Sequence, residues 1–543
     1  MKKISKTLRF NLTGLVIILL LSSAAAVKYF DVSKNLEIFT SAYKELNLYY
    51  VDETNPGDLM KTGLDAMFGS LDPYTIYYTE SKIEDARFKY SGQYGGVGIF
   101  LENQDGKVVV SEVLEGYPAE KAGIREGDEI ILIDDKKVKS FDQEQLDAIL
   151  KGNVGSEIIL TFTRQDEVKV EALTRAEIQI KEVPYSGMIS ENTGYIKLTS
   201  FTKTSSSSVR AALRGLQATG KLERLVLDLR GNGGGLLREA VNIVNLFVPK
   251  GELVVSTKGK IDSWNKVYET KQQPMAPDVP LAILINGRSA SASEIVSGAL
   301  QDLDRAVVIG ERSFGKGLVQ QTKDLVYNAR MKLTIAKYYI PSGRCIQKLD
   351  YSNRVDGEVN EMEDSVPFKT RNGRTVFDGR GVDPDVEVKA EQVSELFNSL
   401  KENQVLFDYV SSYINNSDKP DTVLNFKYTD QDYEEFKTFV KSRNFNYSTL
   451  SESKFEELMK TAKDENYFNS SKSQFEQLEK SLSPSLESDL ERFKTQIKAE
   501  LQSMIARRYF FRSGQIQFNL MEDPLMLKCE EVFSSNYSSI LGN

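Results

Sequence analysis

The chain contains a serine and a lysine whose types and spacing could support nucleophilic catalysis, and it contains no histidine. Ser291 lies in the run Ser-Ala-Ser-Ala-Ser-Glu at residues 289–294, and Lys316 follows in Phe-Gly-Lys-Gly at 314–317. A serine hydroxyl is a weak nucleophile until a neighbouring base takes its proton. Because histidine, the usual base, is missing from all 543 residues, a lysine is the best candidate to activate Ser291.

Lys316 could act as a base only in its uncharged form. The reference pKa of lysine is about 10.4, and desolvation would have to lower it by roughly 3 units, or about 4 kcal/mol. The apolar neighbours Phe314, Leu318 and Val319 and the flanking glycines favour a buried site. Gln320 lies four residues on, on the same face of a helix or a strand. Its amide could orient the amine without adding a negative charge.

Ser291 is expected at a junction between a strand and a helix. Residues 281–285 form an apolar run suited to a buried strand, and Ile295, Ala299 and Leu300 indicate that a helix follows. Such a junction places the serine hydroxyl near backbone N–H groups that have no partner within the helix. The elbow Gly-x-Ser-x-Gly of many hydrolases is not present, because residues 287–291 read Gly-Arg-Ser-Ala-Ser.

A glycine-rich turn is the second candidate element. Residues 228–237 read Asp-Leu-Arg-Gly-Asn-Gly-Gly-Gly-Leu-Leu, which predicts a strand, a turn and the start of a helix. The pattern fails as a dinucleotide-binding fingerprint, because the sixth position counted from Gly231 is Leu236. A turn that presents one N–H group to a developing oxyanion fits better. A tight packing turn without catalytic function is the alternative.

A second cluster of glycines predicts peptide binding. Residues 94–99 read Tyr-Gly-Gly-Val-Gly-Ile, with Pro-Ala-Glu-Lys-Ala-Gly-Ile at 118–124 and Gly-Asp-Glu-Ile at 127–130. Glycines at a strand edge let N–H groups capture a terminal carboxylate, and the adjacent strand can accept an extended peptide. The combination resembles a PDZ domain of the bacterial type, with a plain β-sandwich turn as the alternative. The expected peptide-binding residues are Gly96, Val97, Gly98, Ile99 and Phe100.

Two other motifs overlap Lys316 and are weaker interpretations. Residues 310–316 match the Gly-x-x-x-x-Gly-Lys pattern of a nucleotide-binding loop, but Gly317 stands where the magnesium-binding Ser or Thr should follow. Ser313-x-x-Lys316 matches the Ser-x-x-Lys motif of penicillin-recognising enzymes. That motif needs a helix, which the adjacent glycines disfavour, and the chain has no Ser-Asp-Asn partner motif.

Composition excludes several other functions. The formal charge of −9 argues against a general nucleic-acid binder. Cys345 and Cys529 are the only cysteines, so a disulfide framework and a four-thiolate zinc site are both excluded. With no histidine, any metal site would have to be built from carboxylates, and no EF-hand spacing is present. A serine activated by a lysine needs neither a metal nor a cofactor, and we expect none.

The N-terminus predicts export. Four basic residues within the first nine precede a largely apolar stretch at residues 10–27, which ends in small residues. This pattern is typical of a signal peptide or an uncleaved signal anchor, and a buried N-terminal helix is the alternative. We therefore expect the body of the protein outside the cytoplasm: periplasmic, anchored in the inner membrane facing the periplasm, or secreted.

The remaining chain divides by pattern and composition. An apolar stripe from Leu486 to Ile505 predicts a helix that begins near Pro484 and ends before Gly514, and it is suited to a core or a partner interface. The predicted segments are a leader at 1–27, a helical N-terminal region at 28–84, the PDZ domain at 85–182, an α/β core at 183–390 and a helical C-terminal extension at 391–543.

Taken together, residues 60 to about 390 resemble the carboxyl-terminal processing (tail-specific) protease family of serine peptidases. Further matching segments lie at 71–75, 339–344 and 381–385. The resemblance implies a crotonase/ClpP-like α/β protease core with an inserted PDZ domain and helical N- and C-terminal regions. It also implies that Ser291 is the nucleophile, Lys316 the general base and Gln320 the base-orienting residue. The oxyanion donors would be the backbone N–H groups of Gly235 and Ala292.

The expected function is that of an exported endopeptidase with a Ser/Lys dyad, which cleaves protein substrates near their C-termini while the PDZ domain binds the substrate tail. The partners would be protein substrates, and the C-terminal helical region could serve as a lid, bind an adaptor or mediate self-association. A competing interpretation is a non-catalytic PDZ scaffold on a degenerate protease core.

Overall fold

The computed structural model describes residues 30–78, 92–104, 106–355, 358–361, 365–389, 391–483 and 485–542. The chain divides into two compact units, one formed by residues up to Ser81 with Gln320–Thr334, the other by Lys82–Val319 with Ile335–Asn543. The leader predicted at residues 1–27 lies outside the described residues. Within the described ranges, no helix combines the length and the apolar character needed to cross a bilayer.

The first unit begins with two helices, as predicted for this region. Residues 30–49 form α1, and α2 spans Pro56–Gly69. Helix α2 begins where it does because the Asn55 side chain accepts a hydrogen bond from Gly57 N at 2.9 Å, and a proline occupies the first turn.

A turn follows at residues 71–75, one of the segments that match the family. The Asp72 carboxylate accepts hydrogen bonds from Tyr74 N and Thr75 N, each at 2.8 Å, which is the local pattern that favours aspartate in turns. Strand β1 (Ile76–Tyr78) comes next and pairs antiparallel with residues 330–332.

The second unit opens with the β-rich segment. Its main sheet has the strand order β3-β4-β5-β7-β8, with β6 on β5, while β2 pairs with β9. Alternate residues of β7 (Ile158, Leu160 and Phe162) are buried, as the period of two of a β-strand requires. The elements are β2 Gln93–Gly96, β3 Ile99–Gln104, β4 Lys107–Val113, α3 Pro118–Lys121, β5 Glu129–Ile133, β6 Lys136–Lys137, α4 Gln143–Leu150, β7 Glu157–Arg164, β8 Glu167–Thr174 and β9 Ala176–Gln179.

The α/β core that was predicted from alternating patterns follows. Its elements are β10 Tyr185–Met188, β11 Thr193–Lys197, α5 Ser205–Ala218, β12 Arg224–Asp228, α6 Leu237–Val244, β13 Leu253–Gly259, β14 Lys266–Glu269, β15 Leu281–Ile285, α7 Ala292–Asp302, β16 Val307–Gly310, β17 Leu318–Asp324, β18 Arg330–Tyr339, β19 Leu349–Val355, β20 Glu358–Glu361, β21 Pro367–Lys369, β22 Thr375–Phe377 and β23 Val386–Glu387.

The central sheet of this core has the order β10-β11-β12-β15-β16-β23. Strands β11, β12, β15, β16 and β23 are parallel, and β10 is antiparallel to β11. Every side chain of β15 is fully buried, as expected for a parallel strand covered on both faces. Because β12 and β15 are parallel neighbours, the loops that follow them leave the sheet at the same edge, where α/β folds place their ligand sites.

The C-terminal extension is helical and has its own core, which is rich in Phe, Tyr and Leu. The predicted apolar helix is present as two helices, α13 and α14. Helix α14 is kinked at Phe510 and Phe511, whose backbone is not helical, so its first part ends before Gly514, as predicted. A second helical part continues beyond the kink to Leu520 and contains Gly514. The elements are α8 Glu395–Glu402, α9 Val405–Asn416, α10 Asp430–Ser442, α11 Leu450–Asp464, α12 Lys472–Leu482, α13 Leu486–Arg492, α14 Lys494–Leu520, α15 Pro524–Ser535 and α16 Tyr537–Ile540.

Helix α14 also contacts the β-rich segment. Glu126 is 2.7 Å from Arg508 Nε and 3.0 Å from Arg507 Nη2, and the Arg508 guanidinium stacks 4.5 Å over the ring of Phe407. Burial raises the pKa of Glu126, against the opposing charges of the two arginines. A buried carboxylate between two guanidinium groups thus joins the β-rich segment to the helical extension.

Candidate active site

Ser291 lies at the predicted junction between β15 and α7. It is the residue before the first turn of α7, and its backbone has φ 56° and ψ −110°. Few residues other than glycine adopt this conformation, and such strain is commonly concentrated at functional sites. The surrounding hydrogen bonds must therefore hold Ser291 in place.

The glycine-rich turn after β12 packs directly against Ser291. A Cβ on Gly234 would lie 2.9 Å from the Ser291 Cβ and 2.9 Å from Ala292 N, and one on Gly235 would overlap the carbonyl oxygen of Phe201. Both glycines have positive φ, at 97° and 149°. Only glycine therefore allows this turn to approach the serine so closely.

Asn232 fixes this contact from inside the turn. Its carbonyl oxygen accepts hydrogen bonds from Ala290 N at 3.0 Å and Ser293 Oγ at 2.8 Å. Its side chain accepts from Gly234 N at 2.9 Å and donates to the carbonyl of Leu198 at 3.0 Å. One fully buried asparagine therefore links the glycine-rich turn, the serine loop and the end of β11.

The two predicted oxyanion donors are the backbone N–H groups of Gly235 and Ala292. In the described parts of the chain, neither Gly235 N nor Ala292 N donates a hydrogen bond to another residue. Gly234 immediately precedes Gly235 and packs against the backbone nitrogen of Ala292, so the two donors lie close together. An arrangement of this kind can present two N–H groups to an anionic oxygen beside the serine.

Lys316 lies in the loop between β16 and β17. Gly315 and Gly317 beside it are buried, as predicted, and the lysine is partly buried. The prediction that Phe314 contributes to a buried environment is wrong, because its side chain is 46% exposed. The strand β17 follows the loop, whereas a nucleotide-binding loop or a Ser-x-x-Lys motif would require a helix here, and both of those interpretations are therefore excluded.

The buried carboxylate of Glu294 joins the serine loop to the lysine loop. Its Oε2 accepts hydrogen bonds from Ser291 N at 2.7 Å and Lys316 N at 2.9 Å. Its Oε1 accepts from Gly315 N at 2.7 Å and Ser313 Oγ at 2.6 Å. Since hydrogen bonds to one oxygen bring both donors within about 3 Å of it, the backbone nitrogens of Ser291 and Lys316 lie within about 6 Å of each other.

Tyr338 on β18 makes a second connection between the same two residues. Its hydroxyl lies 2.8 Å from the carbonyl oxygen of Lys316 and 3.1 Å from that of Ser291. Burial, with the nearby Glu294 carboxylate, raises the pKa of Tyr338 well above its ordinary value, so the group stays a neutral donor. Glu294 and Tyr338 therefore hold the backbones of Ser291 and Lys316 side by side.

Gln320, the predicted base-orienting residue, lies in β17, and its amide donates to Thr334 Oγ1 at 3.3 Å. Lys316 precedes this strand, so the argument that both residues share one face of a regular element does not apply. The role of Gln320 stays a prediction that rests on the family resemblance.

Replacing Glu294 by glutamine tests whether this carboxylate assembles the site. An amide offers one acceptor oxygen to four donors and turns its own N–H₂ group toward two of them. We expect the variant to lose about 2–4 kcal/mol of stability, measured by urea denaturation, because buried donors are left unpaired. Residual folded protein should have lost most of its catalytic rate. A variant that melts like the wild type and retains its activity would contradict this role.

The predicted peptide-binding residues surround the start of β3. Gly98 has φ 85°, and the carbonyls of Val97 and Gly98 accept hydrogen bonds from Ala119 N at 3.0 Å and Leu114 N at 2.9 Å. The side chains of Val97 and Ile99 are buried, and Phe100 is half-buried. Gly96, the last residue of β2, is also buried. Ligand contacts in this loop would therefore come from the backbone.

Strand β3 is an edge of its sheet and faces α4. In the described sheet it pairs with β4 alone. On the other side, Gln143 Nε2 donates to the carbonyl of Leu101 at 2.8 Å, and Asn103 Nδ2 donates to the carbonyl of Phe141 at 3.1 Å. An edge strand beside a helix is the arrangement that accepts an added peptide strand in PDZ domains.

Sequence reasoning assigned no role to Glu294, Asn232 or Tyr338. Glu294 had a usable signal, because Ser-x-x-Glu at a predicted helix start is the capping-box pattern. The capping position explains its bond to Ser291, but not its bonds to the lysine loop. No pattern in the sequence marks Tyr338, whose partners are distant in the chain, or the bonds by which Asn232 joins its own turn to Leu198 and to the serine loop.

Comparison with known proteins supports the same organisation. Residues 95–173 match the PDZ domain, residues 192–354 match the peptidase family S41, and residues 396–533 match the C-terminal helical domain of probable PDZ-proteases. The last match covers a region that the sequence analysis had left without any counterpart.

Curated relatives match a little over half of the chain. A carboxy-terminal-processing protease of Bartonella bacilliformis is 37% identical over 319 residues, 58% of this chain and 73% of that protein. The carboxy-terminal processing protease CtpA of Bacillus subtilis is 31% identical over 59% of this chain and 68% of that protein. Among solved structures, a photosystem II D1 C-terminal processing protease aligns with 67% of this chain and 95% of its own, at 26% identity and a TM-score of 0.36. The chain belongs to the carboxy-terminal-processing proteases of peptidase family S41, serine-type peptidases that carry a PDZ domain.

Proposed function

We propose that this peptidase is an exported endopeptidase that uses Ser291 as its nucleophile and Lys316 as its general base to cleave protein substrates near their C-termini. The observation that carries the proposal is the shared carboxylate oxygen of Glu294, which accepts hydrogen bonds from the backbone nitrogens of both residues. No histidine is available to act instead.

The reaction follows from these roles. The uncharged Lys316 amine takes the proton of Ser291 Oγ as that oxygen attacks the scissile carbonyl carbon. The N–H groups of Gly235 and Ala292 stabilise the negative carbonyl oxygen of the tetrahedral intermediate. Lys316 then gives its proton to the leaving amine as the C–N bond breaks, which leaves an acyl-serine. A water molecule, deprotonated by the same amine, hydrolyses the ester and restores the serine, while Gln320 orients the amine.

Tail binding is assigned to the PDZ domain. A substrate C-terminus would add as a strand to the open edge of β3, beside α4, and the N–H groups of residues 96–100 would receive its terminal carboxylate. The apolar surroundings favour an apolar last residue. In this arrangement the PDZ domain holds the last residues of the protein substrate, and the peptide bond to be cleaved lies N-terminal to those residues.

We further propose a crotonase/ClpP-like classification for the core, on the basis of its parallel sheet and covering helices. The leader at residues 1–27 would direct the protein out of the cytoplasm as a cleaved signal or a membrane anchor. The C-terminal region could in addition bind an adaptor or a second copy of the chain.

Blocking the substrate carboxylate tests the tail-binding proposal. Two peptides with the same apolar tail, one with a free C-terminus and one amidated, should differ in cleavage efficiency by about 10–100-fold. This is the factor expected from losing charge-assisted hydrogen bonds worth about 1.5–3 kcal/mol. Most of the difference should be in KM. Equal efficiency for the two peptides, measured by chromatography of the products, would exclude carboxylate capture. Binding of the free tail without any cleavage would favour the non-catalytic scaffold instead.

A further inference from the structure

We propose that Asp523, in the C-terminal helical extension, is a positioning residue for the oxyanion turn of the proteolytic site, and that it acts through Arg230. The inference rests on the proposed function, since it assumes that the glycine-rich turn supplies a donor to the oxyanion. It gives the extension an indirect part in the reaction, because the extension contributes none of the proposed catalytic groups but fixes the turn that carries one of them.

Arg230 stands immediately before the first glycine of the turn. Its guanidinium is held between two carboxylates, with Nη2 2.6 Å from Asp523 Oδ2 and 2.7 Å from Asp228 Oδ2. Its backbone N–H donates to Asp228 Oδ1 at 2.8 Å, and its carbonyl oxygen accepts from Lys197 Nζ at 2.9 Å. Both the side chain and the backbone of the residue that starts the turn are therefore fixed.

The charges of this cluster balance only when Asp523 is present. Lys197 and Arg230 carry two positive charges, and Asp228 and Asp523 carry two negative charges within hydrogen-bonding distance. Asp228 is fully buried. Burial would raise the pKa of Asp228, but the charges of Lys197 and Arg230 lower it to about 2, so it is ionised at neutral pH. Without Asp523, the two cations would compete for one carboxylate.

Asp523 is itself fixed relative to the core sheet. Its Oδ1 accepts a hydrogen bond from Leu525 N at 2.9 Å at the start of α15, which leaves Oδ2 for Arg230. Helix α15 then packs through Met526, Cys529 and Val532 against buried residues of β12, β15 and β16. The position of Asp523 is thus set by the same sheet that carries the glycine-rich turn.

The chain offers a matched control. Glu530, on the same helix α15, pairs with Arg224 at 3.0 Å, and Arg224 is the first residue of the same strand β12. The two ion pairs therefore connect the same helix to the two ends of β12. The Arg230–Asp523 pair lies at the glycine-rich turn, whereas the Arg224–Glu530 pair lies at the far end of the strand.

The test compares Asp523→Asn with Glu530→Gln in the full protein. Asparagine caps a helix as well as aspartate does, so Asp523→Asn removes the charge and keeps the cap. We expect kcat on a short peptide substrate to fall about 10–100-fold, somewhat less than the effect of deleting an oxyanion donor, with KM changed less than about 2-fold. Glu530→Gln should keep the wild-type kcat. Because the Arg230–Asp523 pair is more buried than the Arg224–Glu530 pair, Asp523→Asn should have the lower melting temperature, so kcat is measured at a temperature at which both variants remain folded. Arg230→Lys keeps the charge but loses the planar guanidinium, whose Nε and Nη2 bond Asp228 while Nη2 also bonds Asp523, and it should reproduce the loss in kcat.

The outcomes separate this inference from the function on which it rests. If the wild type cleaves and Asp523→Asn cleaves as fast as Glu530→Gln, the positioning role is wrong and the protease assignment stands. A fall in kcat that is fully accounted for by the unfolded fraction of Asp523→Asn at the assay temperature would also overturn it, because the effect would then be one of stability. If the wild type cleaves no substrate, the proposed function itself fails.

Discussion

Replacing Ser291 by alanine is expected to abolish proteolysis and to leave tail binding unchanged. Removal of the nucleophile from a serine protease leaves only the catalysis supplied by substrate binding and the oxyanion site. We expect the cleavage rate to fall by at least about 10⁴-fold, measured with a fluorogenic peptide. The binding constant of a labelled tail peptide, measured by fluorescence anisotropy, should stay within experimental error, because the proposed tail site lies in the PDZ domain.

Ser297→Ala is the matched control for this experiment. Ser297 lies in the same helix α7, is fully buried and donates to the carbonyl of Ser293 at 2.9 Å. Its loss should cost about 1 kcal/mol of stability and leave the cleavage rate near that of the wild type. Unchanged cleavage by Ser291→Ala would exclude Ser291 as the nucleophile. Loss of both cleavage and tail binding would show that the substitution had damaged the fold.

The second large effect is expected at Lys316, and it distinguishes a base from a positive charge. Arginine preserves the charge but cannot be deprotonated in proteins, so it cannot accept the serine proton. Lys316→Arg and Lys316→Ala should therefore both lose at least about 10³-fold in kcat, toward the upper end of the contribution of a general base. Added small primary amines should partly restore the alanine variant, because the space left by the side chain admits a substitute base, and should not restore the arginine variant.

Lys337→Arg provides the control, since this lysine lies exposed on β18 and takes no part in the proposed chemistry. Its kcat should match that of the wild type. Substantial activity in Lys316→Arg would show that the lysine serves as a charge, and the base would have to be sought elsewhere. Rescue of both variants by amines would point to a general solvent effect.

The elements that carry the site were predictable from local sequence patterns. The apolar run at 281–285 predicted a buried strand, and Asp228-Leu-Arg followed by glycines predicted a strand and a turn. Ser291 was placed correctly at the start of a helix. These features depend on hydrophobic periodicity and on glycine, and both act over a few residues. Parallel pairing of β12 with β15 then brings the glycine-rich turn and the loop that carries Ser291 to the same edge of the sheet.

The contacts between loops could not be predicted in the same way. Glu294 reaches Lys316 across 22 residues, and Tyr338 reaches Ser291 across 47. Arg230 and Asp523 are separated by 293 residues. No local pattern encodes such a pairing, which depends on how distant elements pack. The helical part of α14 beyond Phe511 shows the same limit, because no pattern in the sequence predicted that a second helix follows the kink and contains Gly514.

The most direct test of the central claim is the rate and position of covalent labelling by a fluorophosphonate, a probe that reacts with activated serine hydroxyls. Mass spectrometry of the labelled wild type should place the phosphonate on Ser291 alone, and the labelling rate of Lys316→Ala should fall by at least about 10²-fold. Labelling of Ser291 at the wild-type rate in Lys316→Ala, or labelling of a different serine in the wild type, would contradict the account.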